Sequence, residues 1–214
     1  MINLDTPCGR GTRSYPVTAG FTLLEMLVTL SIFVIITSTL LISYSGFNKH
    51  LSVDTLAHEI GQWIRDAQVS AMSVKSARTV AGMYPGYGVH FTLSDPGKFI
   101  FFADLDSDDQ YDPGVCGAAG SECEREIVLT QGNKIDALCG VTTGGIFTAK
   151  CLSPNGASSV FDIVFTRPDP DAVISGDLNG GASSGYSSAR ITIVSLQGYR
   201  RTVEAWITGQ ISIQ

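Results

Sequence analysis

From Phe21 to Tyr44 the chain is apolar or weakly polar at every position except Glu25. Such a run leaves no polar face, so it predicts a helix that is apolar all round. At 1.5 Å per residue its length is about 36 Å, enough to cross a hydrocarbon core of about 30 Å. From Leu51 the pattern changes. Leu51, Leu56, Ile60, Trp63, Ile64, Ala67, Ala71 and Val74 recur at spacings of mostly three and four, with Asp54, Glu59, Arg65, Asp66 and Ser70 between them. That half is amphipathic and predicts a helix with one face on a domain. No proline lies between Pro16 and Pro85, so one nearly continuous helix is expected from Phe21 to about Val74, with Gly46 as a candidate kink.

After Arg78 the period becomes two. Tyr87, Val89, Phe91 and Leu93 alternate with Gly88, His90 and Thr92, and Ser94-Asp95-Pro96-Gly97 makes a turn before an apolar run from Lys98 to Ala103. The pattern predicts a β-hairpin. Further strands are expected at Glu126 to Thr130, Gly145 to Thr148, Val160 to Phe165, Arg190 to Leu196, Arg200 to Ile207 and Ile211 to Ile213, with a tight turn at Gln197-Gly198. Stretches rich in Gly, Ser and Asp, at Pro113 to Ser121, Ser153 to Ser159 and Ser175 to Ser188, read as loops. The expected fold class is α+β: a long N-terminal helix whose second half packs on an antiparallel sheet or small sandwich. The chain divides into residues 1–20, a helix at 21–44, its amphipathic continuation at 45–78, and a β-rich domain at 79–214.

Composition narrows the function. A formal net charge of −6 and a pI near 4.9 argue against a general polyanion surface, which needs clustered cations, so nucleic acid is an unlikely partner. Only 16% of residues are charged while Gly reaches 23, a balance that leans toward an exported, loop-rich β protein. Residues 1–19 contain Pro7, Gly9, Gly11 and Pro16 and read as a leader rather than a helix. Arg10 and Arg13 precede the apolar run and Lys49 follows it, a bias that puts the N-terminus on the cytoplasmic side.

Glu25 decides what the apolar run is for. A carboxylate within a membrane helix costs about 2.5 to 3.5 kcal/mol, so it needs a partner or a snorkelling route to the interface. An ordinary secretory signal, with Ser43 and Ser45 before Gly46 as the cleavage pattern, has an apolar region of only about 7 to 15 residues and no carboxylate. A cut between Gly20 and Phe21 would instead create an α-amino group one helical turn from Glu25. Gly20-Phe21-Thr22-Leu23-Leu24-Glu25-Met26-Leu27-Val28 resembles the class III signal of type IV pilins and type II secretion pseudopilins. The resemblance implies a pilin-like fold, cleavage after Gly20 by a prepilin peptidase, N-methylation of Phe21, and Glu25 as the residue that aligns subunits in a filament. The leader is longer than many in that family, and Thr18-Ala19 stands where a basic residue often precedes the glycine. The order of helix, hairpin, Val-Phe, Arg-Ile-Thr-Ile and closing Gly-Gln-Ile-Ser-Ile strand is similar, at the level of pattern, to the GspH and FimT minor subunits. The implied protein is a non-enzymatic minor pilin or pseudopilin. It would be a single-pass protein of the inner membrane with its C-terminal domain outside, and its partners would be other pilins and the assembly platform. The alternative is a ligand- or DNA-binding minor pilin of an adhesion or DNA-uptake system.

Five further groups bear on chemistry. Asp104, Asp106, Asp108 and Asp112 stand at positions one, three, five and nine of DLDSDDQYD, the alternation of oxygen ligands that suits a hard cation such as calcium. Asp109 stands where such loops have Gly, and Val115 where they have a bidentate Glu. No cofactor is required, and calcium is the candidate, with loop rigidity as its role. Cys116, Cys123, Cys139 and Cys151 include no C-x-x-C and predict disulfides; of three connectivities, nearness in sequence favours Cys116–Cys123 and Cys139–Cys151. Gly181-Ala182-Ser183-Ser184-Gly185 fits G-x-S-x-G, but its Gly/Ser surroundings lack the strand and helix that a nucleophile elbow needs. His50, His58 and His90 read as surface or edge residues. Arg200 and Arg201 invite comparison with the basic C-terminal patch of DNA-capturing FimT-like subunits, yet the closing GQISIQ has no arginine.

Overall fold

In the computed structural model, which describes residues 20–142, 148–152, 159–177 and 182–214, helix α1 runs from Leu23 to Met72. The chain divides into two compact units after Tyr44. In the first unit, Leu23–Leu41 has a mean hydropathy of 2.1 and is long and apolar enough to cross a membrane, and none of it is buried among the described residues. Four of its hydroxyls are quenched locally. The hydroxyls of Thr29, Ser31, Thr37 and Thr39 donate to carbonyls three or four residues back, which removes the cost of carrying an unpaired hydroxyl in an apolar run.

In the second unit the helix buries one stripe. Val53, Leu56, Ala57, Ile60, Ile64, Ala67 and Ala71 are all buried, and they share one core with the inner faces of two antiparallel sheets. Each large side chain of this kind contributes about 1.5 to 3 kcal/mol on burial, which makes the stripe the main reason this half is helical. The small residues let the sheets approach. A Cβ at Gly61 would lie only 3.4 Å from the Ile211 side chain. Polar ties fix the helix at both ends of the stripe: Asn133 donates to the Ser52 hydroxyl at 2.8 Å, and Gln68 donates to the Pro170 carbonyl at 3.2 Å.

The first sheet contains β1 (Gly86–Thr92), β2 (Lys98–Asp104), β3 (Cys123–Val128), β6 (Val160–Phe165), β7 (Ala172–Asp177) and β8 (Ala182–Ser184), in the order β3-β2-β1-β6-β7-β8. The second contains β4 (Lys134–Thr142), β5 (Thr148–Leu152), β9 (Ser188–Val194), β10 (Arg200–Trp206) and β11 (Ile211–Ile213), in the order β11-β10-β9-β4-β5. Tyr87, Val89 and Phe91 of β1 face the core with Phe99 and Phe101 of β2 and Phe161, Ile163 and Phe165 of β6. Cys139 and Cys151 are cross-strand partners on β4 and β5 and form a disulfide; Cys116 and Cys123 form a second, tying the loop before β3 to that strand.

Several elements depart from the sequence expectation. The helix ends at Met72, two residues before Val74. Strand β3 starts at Cys123 and ends at Val128 rather than spanning Glu126 to Thr130, and β5 starts only at Thr148, while the expected strand at Gly145 to Thr148 lies mostly outside the described residues. Strand β4 was not expected because a bulge between Ile135 and Ala137 interrupts its alternation, so that Ile135 and Leu138, three apart, both reach the core. The Ser175 to Ser188 stretch, expected as loop, includes the end of β7 and the edge strand β8.

Where β4 passes under Tyr186, only glycine fits. A Cβ at Gly140 would come within 2.4 Å of the Tyr186 ring, which is itself buried against Phe161 of the other sheet at 5.3 Å between ring centres. Gly140→Ala is expected to lower the stability of the folded domain by about 1 to 3 kcal/mol through overpacking. The measurement is chemical denaturation of the detergent-solubilised chain. An unchanged midpoint would contradict this packing.

Candidate functional site

The first candidate site is the start of α1. Gly20, Phe21 and Thr22 are exposed and non-helical, and the helix begins at Leu23. Thr22 is its cap: the hydroxyl accepts from the Glu25 amide at 3.2 Å and the carbonyl accepts from the Met26 amide at 3.2 Å. The T-x-x-E spacing is half of a capping box, a sequence signal that explains why the helix starts here and that the motif reading passed over. Glu25 therefore lies in the first turn, where the helix dipole favours a negative charge. Its carboxylate has no hydrogen-bond or ion-pair partner among the described residues. The Gly20–Phe21 peptide bond lies outside the helix, and the carboxylate sits a turn away inside it.

The second is the acidic loop after β2. Asp104, Asp106 and Asp108 come together, each offering an oxygen within 4.8 Å of the others. Asp112 does not join them; its amide is instead held at 2.8 Å by Glu122, whose other oxygen accepts from the Leu105 amide at 2.8 Å. Glu122 is buried and is a functional residue of the loop that sequence reading missed, because it lies ten positions beyond Asp112 in an unremarked Ser-Glu-Cys stretch. Asp104 does similar work, accepting from the Ser107 amide at 2.8 Å and the Asp109 amide at 3.2 Å. Asp109 has a φ of 61°, the left-handed conformation for which glycine is usual and which Asp tolerates, so its presence at position six is no obstacle to the loop's shape. Three carboxylate oxygens at this spacing fit the coordination sphere of a hard cation with oxygens at about 2.3 to 2.6 Å.

This loop also roofs the outer face of the first sheet. Tyr111 packs on His90 at 4.7 Å and on Phe102 at 5.3 Å, and the Ser175 hydroxyl donates to the Asp109 carbonyl at 3.0 Å. His90 is consequently neither a surface nor an edge residue. It is buried on the central strand β1, with Nδ1 2.6 Å from the Asp162 carboxylate of β6, its cross-strand partner. Alternation predicted which face His90 occupies but not that a distant loop covers that face.

The remaining candidates are placed differently. Arg200 donates to the Asp136 carboxylate at 2.8 Å, and Arg201 is paired with Asp54 of α1. Each guanidinium thus already has a carboxylate partner, which leaves little of the free cationic surface that phosphate contacts need. His58 is exposed on α1. The side chain of His50 and those of 181–184 lie outside the described residues; the backbone of Ala182–Ser184 is an edge strand with no helix after it. Comparisons with protein-family models, curated proteins and solved structures find no match for this chain.

Burial pushes the Asp104 carboxyl from its ordinary 3.8 up to about 6, with the neighbouring Asp109 and Asp108 charges adding to the shift and the two amide bonds opposing it. Burial raises Glu122 and Asp109 in the same direction. A carboxyl raised in the folded state holds a proton that the unfolded chain has already lost, so stability falls as pH rises between about 4 and 6. With a chelator present, the thermal midpoint of the wild type is expected to drop across this window relative to Asp104→Asn. Calcium is expected to restore it most above pH 6, where Asp104 has lost its proton. A wild-type profile parallel to that of Asp104→Asn, with or without calcium, would refute both statements.

Proposed function

We propose that the chain is a structural subunit of a type IV pilus or type II secretion pseudopilus, a minor pilin or pseudopilin of the GspH or FimT kind. The observation that carries this reading is the arrangement at the start of α1: an exposed, non-helical Gly20-Phe21, a helix capped at Thr22, a Glu25 in its first turn with no partner among the described residues, and an exposed apolar span from Leu23 to Leu41. In this role the chain is a single-pass protein of the inner membrane, with its N-terminus cytoplasmic and the β-rich domain outside. A prepilin peptidase cuts after Gly20, and Phe21 becomes the methylated N-terminus. The subunit is then added, at the assembly platform, to a filament through its apolar helix.

The physical reasoning runs from the cost of Glu25. In lipid it is an expensive group, at about 2.5 to 3.5 kcal/mol. Beside a neighbouring subunit's new amine it becomes half of an ion pair in a low-dielectric bundle, where removing one partner is strongly unfavourable. The pair therefore fixes how far one helix slides along the next, while apolar side chains supply contact without register. The reading assigns no reaction to the chain. Calcium at Asp104, Asp106 and Asp108 would rigidify the loop that roofs the first sheet.

N-terminal sequencing of the protein recovered from cells with an active prepilin peptidase is expected to begin at Phe21, and any other start would overturn the cleavage. Glu25→Ala is expected to insert and be cut normally while its incorporation into sheared filaments falls at least about tenfold, the scale set by losing one charge-assisted contact. Undiminished incorporation would remove Glu25 from assembly.

A further inference from the structure

We propose that the cleft bounded by the end of α1, the first strands of the six-stranded sheet and the segment after the helix binds an organic anion, a carboxylate carried on an aromatic or apolar body. The cleft has a volume of about 420 Å³, and its lining includes the cations Lys75, Arg78 and Arg125, the carboxylates Asp66 and Glu124, and the Trp63 and Phe101 rings. That volume falls within the range of about 300 to 1,000 Å³ usual for small-ligand sites.

The charges in the cleft are arranged for a guest. In a chain with 14 Lys and Arg against 20 Asp and Glu, three cations face one opening. Arg78 is committed internally: its amide donates to Glu124 at 2.6 Å, its guanidinium donates to the Glu124 carbonyl at 2.8 Å and lies 3.7 Å from the Glu124 carboxylate. Buried Glu124 is thereby satisfied by Arg78. Lys75 and Arg125 have no carboxylate partner among the described residues. The Lys75 ammonium stands 5.3 Å from the centre of the Tyr87 ring and 5.4 Å from that of Phe101, and its hydrogen bond is to the Ser70 hydroxyl at 3.2 Å. The Arg125 guanidinium stands 5.5 Å from the centre of the Trp63 ring. A cation held over a ring keeps its N–H edge available, so both present donors above an aromatic floor in which Trp63 and Phe101 lie 5.5 Å apart. A carboxylate would meet the donors while its aromatic or apolar body meets the floor.

The backbone that aims Lys75 is strained. Val74 has a φ of 58°, an unfavourable value for a β-branched side chain and one that a helix-ending residue normally leaves to glycine. It turns the chain so that the Lys75 amide closes on the Ser70 carbonyl at 3.4 Å and the side chain returns over the two rings. Strain kept beside an opening is a mark of a used site. The inference rests on residues of the second unit alone and holds whether or not the chain assembles through Glu25.

The test uses the full chain in nonionic detergent with Trp206→Phe, which leaves Trp63 as the sole indole of the two in the sequence. Its emission is followed during titration with phenylacetate, with the neutral phenylacetamide, and with the blocked tripeptide N-acetyl-Phe-Glu-Phe-amide. A saturable change is expected with the anions, with phenylacetamide at least about tenfold weaker, and Lys75→Gln or Arg125→Gln is expected to weaken anion binding about tenfold. Arg125→Lys, which keeps the charge, is expected to retain part of the affinity and serves if the glutamine variant loses its near-ultraviolet dichroism. Tighter binding of the tripeptide assigns the anion to an acidic partner segment, and tighter binding of phenylacetate assigns it to a small molecule. No saturable change with either anion, an equal response to the amide, or affinity unaffected by every substitution would overturn the proposal.

Discussion

One helix here has to satisfy two different surroundings. Up to Leu41 it is apolar on every side but for Glu25, and the described residues bury none of it; from Val53 it is apolar on one stripe, which is buried from Val53 to Ala71 with Trp63 partly so, while Leu51 and Val74 at its two ends stay exposed. No single solvent suits both halves. An apolar stripe in water drives the two sheets to close over Val53 to Ala71, and by the same logic Leu23–Leu41, long and apolar enough to cross a membrane, suits an apolar environment. The β domain can be understood as what one half needs, and the proposed filament as what the other half needs.

The six-stranded sheet shows how loops complete what strands begin. Its inner face belongs to the shared core, but its outer face would leave Phe102 and the His90–Asp162 pair open to water without the loop that follows β2. Two buried carboxylates, Asp104 and Glu122, hold that loop by accepting backbone amides. Acidity in this segment is therefore partly architectural. A bound cation would add to an order that the amide bonds already impose, so any cation dependence of the loop would be coupled to its pH dependence.

Much of this arrangement was legible in residue pattern, and the exceptions have physical causes. The change from an all-round apolar helix to an amphipathic one, the β1–β2 hairpin and the Val160–Phe165 strand follow directly from periodicity, since each buries one face or all of them. Strand β4 was hidden because its bulge at Asp136 breaks the period on which strand recognition depends. The end of β7 and the edge strand β8 were hidden because their Ser, Gly and Asp residues look like loop. At the candidate sites, local grammar was readable and long-range closure was not. The Thr22 cap is written within four residues, whereas the burial of His90 and the role of Glu122 depend on a loop folding back over a sheet.

Arg201 and Asp54 are 147 residues apart in sequence, yet their pairing joins α1 to β10. Contacts of such separation form late, because the entropy of closing the intervening chain must be met first. A polypeptide emerging from its N-terminus presents the apolar stripe of α1 long before β9, β10 and β11 exist to cover it. In the proposed role the apolar span would have a second use during biogenesis: by keeping each nascent molecule tethered in the plane of a bilayer, it would separate neighbouring chains whose uncovered stripes would otherwise find one another before their own sheets are complete.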